Sequence, residues 1–324
     1  MTDKNSQEIH NYSQLALVGA AFAVTAWGSS GVIVKYISVT STEIAIYRFT
    51  FYSIVMIAFL KAKGTPLTFQ SIKIAFWGGI TLGLNVAFFF ESLKRTTVVN
   101  ATIIGSLQPV LISVYSYKVF KEKVTRRDVF IGVIALVATF GVVAGSSGTT
   151  EWDVTGDLFA CAALFTWTGY FIISKQTQGR VSPLEFTAAT GVITGILNFL
   201  IALVFSVALT VPSGRDIFWL FILATVAGLI GHSLMNWSLV RIPLWVGSIL
   251  TLFVPVVSSL LAWIFLEESL NALQIFSTCV VILALGAILV GKIRVRNLRD
   301  ASYPTSVPSI ETKLTISPGY PPRL

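Results

Sequence analysis

The chain has 324 residues, 54% hydrophobic and 12% charged, with a mean hydropathy of +0.79 and a net charge of +8. A soluble domain carries about 25% charged residues, so too little charge is present to cover a water-facing surface, and lipid must be the solvent for most of the chain. The excess of Lys and Arg lies in short loops and at the ends of apolar runs, not in one patch with interleaved aromatics, which excludes a nucleic-acid partner and fits anionic lipid.

Residues 1–14 are polar and mixed in charge, and are expected to be a cytoplasmic N-terminal segment. The apolar run from Leu15 to Tyr36 exceeds the roughly 7–15 residues of a signal-peptide core and reads as an uncleaved first span. A helix needs about 20 mainly apolar residues to cross the hydrocarbon. Further runs meeting that test fall at 43–60, 72–93, 98–118, 128–145, 156–175, 184–208, 217–239, 244–266 and 272–291, giving an all-α integral membrane protein of ten transmembrane helices. From Lys292 the chain is basic, then rich in Pro, Ser and Thr, and the tail 292–324 is expected to be disordered. Cys161 and Cys279 both lie inside apolar runs, which argues against a disulfide framework or a metal site.

Placing the N-terminus in the cytoplasm collects Lys61, Lys63, Lys73, Lys118, Lys121, Lys123, Arg126, Arg127, Lys175, Arg180 and Arg241 in inside loops, with Lys292, Arg294, Arg296 and Arg299 in the tail. The outside loops keep only Lys35, Lys94, Arg95 and Arg215. Cytoplasmic loops carry such an excess, so both termini are expected in the cytoplasm of a protein of the plasma (inner) membrane.

The chain also repeats. Residues 100–125 (NATIIGSLQPVLISVYSYKVFKEKVT) read against 246–271 (VGSILTLFVPVVSSLLAWIFLEESLN). Pro109 falls on Pro255, Glu122 on Glu268, Thr102 on Ser248 and Ser113 on Ser259, one shared offset of 146 (255 − 109). Trp27 and Lys35 match Trp167 and Lys175 at an offset of 140 (167 − 27). The expected halves are a five-helix repeat over 15–148 and a second over 149–291. Five is odd, so the second copy must lie inverted in the bilayer. The charges agree, since the loop KVFKEKVTRRD is basic and its mate LEESLNA is acidic. Inverted repeats are frequent in secondary transporters, with the solute near the midplane between them.

Trp27-Gly28 followed by Lys35, Arg48 in the second run, the prolines of runs four and nine with Glu122 and Glu268 after them, and GHSLMNWSLVRIP at 231–243 together resemble the drug/metabolite transporter superfamily, EamA-like branch. The resemblance covers roughly residues 15–291. It implies a ten-helix carrier, both ends cytoplasmic, with a central cavity lined mainly by spans one, three, four, six, eight and nine, and export of amino acids, drugs or other metabolites. Thr278, where the first half has Gly132, departs from the pattern and bears on the packing of span ten.

Polar groups within spans are costly in lipid and should face the bundle interior. Thr102, Gly105, Pro109 and Ser113, with mates Ser248, Thr251, Pro255 and Ser259, share one helical face in spans four and nine. Each proline lacks an N–H and should free the carbonyl four residues earlier, on Gly105 and Thr251. Such carbonyls can bind a solute or let the helix flex; the alternative is close packing. Gln108 needs partners at mid-depth, in a cavity or across helices. In span eight Gly228, His232 and Asn236 share a face; His232 either binds a proton, as its ordinary titration near neutrality allows, or joins two helices. Asn85, at the repeat position of Gly231, shares a face with Thr81 and Ser92. Trp27, Trp167, Tyr170 and Thr166 are candidates for an aromatic cavity wall. Glu91 is the other candidate for proton coupling. Arg48, about 7.5 Å inside span two, is expected to pair with Glu91 or Glu43 or to clamp a substrate carboxylate. Lys35 and Lys175 are expected to snorkel to the interface. The spacings Gly79/Gly83, Gly141/Gly145 and Gly191/Gly195 read as close helix contacts.

Gly286-AILV-Gly291-Lys292 imitates a phosphate-binding loop, but it ends in Ile293 and closes a transmembrane helix, so ATP hydrolysis is not expected. No cofactor is expected either. The favoured function is a secondary carrier, not an enzyme, that moves a small metabolite by alternating access, foremost an amino acid for export, with protons as a possible coupling ion. Drugs or other metabolites such as nucleosides are the alternative cargo. A lipid-modifying membrane enzyme is the alternative of another class, and a structural or receptor-like membrane protein is a third.

Overall fold

In this computed structural model, which describes residues 2–96, 98–145, 153–267 and 269–302 (side chains over 14–96, 100–145, 153–267 and 269–291), ten helices are long and apolar enough to cross a bilayer. They are spans one to ten: Gln14–Val34, Ser41–Ala62, Phe69–Arg95, Asn100–Phe120, Arg126–Gly145, Val154–Gln176, Pro183–Val204, Gly214–Leu239, Leu244–Phe265 and Ala272–Gly291. Each overlaps one expected run, and no strand occurs among the described residues. The chain is a multi-pass membrane protein.

Capping residues fix where several spans start. Thr40 and Glu43 form a reciprocal capping box at span two, as do Ser182 and Glu185 at span seven. Thr68, Asp153 and Ser213 accept from the first turns of spans three, six and eight. These oxygens satisfy amide hydrogens that have no partner within the helix.

The chain termini differ from expectation. The helix of span one begins at Thr2. That of span ten continues to Ser302, so residues 292–302 are helical rather than disordered. Neither Gly nor Pro interrupts this stretch, and cations are favoured at a helix C-terminus. The remainder of the tail, the junction at 146–152 and Glu268 lie outside the described residues.

Spans four and nine are each broken just before their proline, between Val98–Gly105 and Gln108–Tyr115 and between Leu244–Leu250 and Phe253–Phe265. Tight three-residue turns bridge the breaks, with Leu107 N–H on the Ile104 carbonyl and Val254 N–H on the Thr251 carbonyl. The expected free carbonyl at Thr251 is therefore occupied: the helix shortens its turn and supplies a new donor. Span eight widens instead, into a π-helical stretch over Ala224–His232.

Span pairing has a twofold pattern. Span three packs on spans six and seven, and span eight packs on spans one and two. Spans two and seven pair with each other, as do five and ten, while span four meets six and span nine meets one. Each contact has a mate when the two sets of five are exchanged. Lipid is as apolar as the side chains it touches, so contact quality, not hydrophobic burial, must hold these helices together. Glycines supply it. A Cβ on Gly79 would lie 2.4 Å from Ile193 Cβ, one on Gly141 2.2 Å from Ser277 Oγ, and one on Gly191 within 1.9 Å of the Tyr52 ring.

Gly79→Ala should lower the unfolding temperature in detergent, because branched Ile193 cannot rotate away; overpacking of this kind costs about 1–3 kcal/mol. Gly286→Ala, where a Cβ meets nothing within 4 Å, should leave it unchanged or raise it.

Candidate functional site

Spans one, two, six and eight bring their aromatic residues to one histidine. His232 is buried at the end of the π-helical stretch of span eight. Its ring centroid lies 5.3 Å from Trp27, 5.8 Å from Tyr170, 6.3 Å from Trp167, and 6.4 Å from both Phe49 and Tyr52. Trp27 meets Trp167 edge-on at 5.4 Å, and Trp167 stacks on Tyr170 at 5.4 Å with 13° between the planes. Two glycines of span eight make the room. A Cβ on Gly228 would lie 3.2 Å from Tyr52, and one on Gly231 would lie 2.6 Å from Trp27 Nε1. The repeat mate of Gly231 is Asn85, which donates instead to the Ala163 carbonyl of span six at 3.0 Å. Thr166 Oγ1 donates to the same carbonyl, at 3.0 Å, and to that of Ala162.

Below the rings Asn236 forms a buried hub. It donates to Tyr170 Oη and to Thr187 Oγ1, both at 2.9 Å, and accepts from Ser174 Oγ at 2.8 Å. Tyr52 Oη donates to the Thr187 carbonyl at 2.7 Å. Spans two, six, seven and eight are thereby joined by side-chain hydrogen bonds at one level.

One turn beyond the hub, Lys175 does not snorkel as expected. Its Nζ donates to the Leu239 and Ile242 carbonyls at 2.6 and 2.9 Å, one at the end of span eight and one in the link to span nine. Nearby, Glu122 accepts from Leu244 N–H at 2.8 Å and Trp245 N–H at 3.4 Å. A carboxylate from the loop after span four thus receives the first amides of span nine.

Where spans four and nine cross, Gln108 is fully buried and its side-chain oxygen lies 3.3 Å from Thr251 Oγ1. Thr251 has one hydroxyl proton, which the Ser248 carbonyl takes at 2.6 Å. Turning the amide over would place Nε2 as donor to Thr251. Either orientation leaves at least one amide atom of Gln108 without a partner among the described residues. Pro109 is buried beside it and Pro255 is half-buried.

The charged candidates separate. Glu91 accepts from Arg95 Nε at 2.8 Å and faces Lys94 Nζ at 3.5 Å, both on its own helix. Glu43 is taken by Thr40 and by Thr210 through both its N–H and its hydroxyl. Neither expected pairing with Arg48 is formed: Glu43 is taken by its own helix cap and by Thr210, and Glu91 by the two cations one turn on. Phe49, Tyr52, Phe171, Ser174 and Thr187 were not singled out by the sequence. Only Tyr52 carried a signal, one turn from Arg48 on the same helical face.

The EamA-like transporter family model matches this chain twice, over residues 14–144 and 154–290. Among similar proteins, the transporter YwfM of Bacillus subtilis (strain 168) is 24% identical over 80% of this chain and 87% of its own length. The transporter YetK of the same organism is 25% identical over 92% and 91%. The aromatic amino acid exporter YddG of Ancylobacter novellus is 28% identical over 47% of this chain and 52% of its own. A solved crystal structure superposes with a TM-score of 0.72 at 22% identity, covering 83% of this chain and 96% of that one, which bears on the fold alone.

Asn236→Leu should destabilise the protein, since Tyr170, Ser174 and Thr187 lose a buried partner at once, at about 1–3 kcal/mol for each group left unsatisfied. Thermal unfolding in detergent would register it as a lower midpoint.

Proposed function

This chain belongs to the EamA-like transporter family, and from that premise we propose that it exports an amino acid or related metabolite with an aromatic or bulky apolar side chain, by alternating access around the His232 cluster. The observation that carries the reading is the wall of Trp27, Trp167 and Tyr170 around His232, on spans one, six and eight. Such a wall offers ring faces and edges to an apolar solute. The likeness to an aromatic amino acid exporter over about half the chain supports the same class.

Alternating access needs two ends that can open in turn. The Lys175 and Glu122 contacts close one end on span eight and the start of span nine. Ser38 closes on Asp216, and Thr210 on Glu43, at the other. All are hydrogen bonds between the end of one helix and a loop or helix end elsewhere, which can break without loss of packing along the spans. Gln108, with an unsatisfied amide atom at the crossing of the broken helices, is the polar group that would turn toward the cargo, assisted by Pro109, Thr251, Pro255 and Asn85. The charge bias of the loops supports both termini facing the cytoplasm of the plasma membrane. Should transport be coupled to protons, His232 is the better placed candidate, because Glu91 is held by two cations on its own helix.

Counterflow into proteoliposomes preloaded with an amino-acid mixture should accumulate labelled phenylalanine or tryptophan. Trp167→Ala should reduce that uptake severalfold through a raised KM. Equal accumulation in empty protein-free vesicles, or uptake untouched by Trp167→Ala, would sink the proposal. A gradient-dependent rate that His232→Gln abolishes would mark the histidine as the proton carrier.

A further inference from the structure

A cation stands beside the cluster with no ion-pair partner among the described residues. Arg48 lies deep in the bundle on span two yet keeps part of its surface accessible. Its Nε is shut off from solvent and has no hydrogen-bond partner. Its guanidinium makes no ion pair or hydrogen bond with any described residue. Its Cζ lies 5.4 Å from the centroid of the Phe49 ring, and its charge is within electrostatic range of Tyr52 and His232. Trp27 Nε1, whose ring also packs on His232, is likewise buried without a partner among the described residues. Both of these unmet groups are donors. The two carboxylates that could have answered them, Glu43 and Glu91, are engaged elsewhere.

Shutting a guanidinium nitrogen off from water without a partner is costly, and a guanidinium fixes a planar anion through two parallel hydrogen bonds. Resting on the reading of the cluster as the transport site, we propose that Arg48 binds the carboxylate of the cargo, so that the protein selects aromatic or apolar carboxylates, amino acids included, and rejects the corresponding amines. The rings hold the apolar side chain while the guanidinium holds the acid. No carboxylate among the described residues faces the cluster to receive an ammonium group. Cationic drugs would bring a second positive charge next to Arg48, and the same electrostatics disfavours them.

The test is binding to the purified full-length protein in detergent, read by thermal shift, with indole-3-acetate (acid, no amine), tryptophan (both) and tryptamine (amine, no acid). Indole-3-acetate and tryptophan should raise the midpoint in a saturable manner, and tryptamine should not. Arg48→Gln should stay folded, since the guanidinium makes no hydrogen bond with any described residue, and should bind both acids roughly 10- to 100-fold more weakly, the worth of a charge-assisted hydrogen bond. Arg48→Lys should recover part of the loss. A tryptamine shift equal to that of indole-3-acetate, no shift with either acid, or undiminished acid binding in Arg48→Gln would overturn the assignment. Trp167→Ala separates the two readings. If it weakens all three ligands alike while Arg48→Gln changes nothing, the cluster stands and the arginine's role falls. If it leaves acid binding intact, the cluster itself is not the site.

Discussion

The Asn236 amide donates to Tyr170 and Thr187 and accepts from Ser174, so spans six, seven and eight meet through one side chain that has almost no freedom left. In an apolar medium, an amide with that many partners is fixed more firmly than in water, because each alternative leaves a bare polar group. Tyr170 is oriented by this bond and in turn stacks on Trp167, which meets Trp27 edge-on. The aromatic wall around His232 therefore inherits its geometry from a polar hub one helical turn away. Thr187 extends the hub to span two, through Tyr52, and with it to the neighbourhood of Arg48.

Around that fixed centre the two halves have specialised. The twofold pairing of spans is nearly complete, but at one matched position the first half carries Asn85 and the second Gly231. Asn85 ties span three to the Ala163 carbonyl, whereas Gly231 leaves space that the Trp27 indole fills. Span eight is π-helical where span three is a regular helix. A π stretch turns the residues beyond it relative to an α-helix and is often found where function demands it; here it ends on His232. One half thus supplies a side-chain tie between helices and the other a glycine surface on which an indole packs.

The broken spans four and nine show how a proline can be accommodated without exposing the backbone. The turn tightens, the carbonyl at Thr251 finds the amide of Val254, and the unmet polar capacity passes to the Gln108 side chain. Burying that amide at a crossing of two interrupted helices costs stability that a continuous apolar contact would have kept. Together with the guanidinium of Arg48, which no described carboxylate meets, it marks the interior as arranged for something other than maximal stability.

Much of the architecture was legible in the sequence. Hydropathy fixed the number and approximate bounds of the ten spans, since only helices of about 20 apolar residues satisfy their own backbone across a bilayer. Matched prolines exposed the repeat, and paired glycines marked helix contacts, because both are backbone properties that any single helix displays. The pairings of charges were not legible. Arg48, Glu43 and Glu91 each had several partners within reach by depth alone; capping geometry decided for Glu43 and a neighbouring turn for Glu91. Lys175 was misjudged for the same reason, as the carbonyls it caps belong to the end of span eight and the link after it, more than 60 residues away. Composition and period determine what each helix is; which side chains meet at Asn236 and His232, and that Arg48 finds no carboxylate among the described residues, depends on how helices distant in sequence cross, and only the tertiary structure decided that.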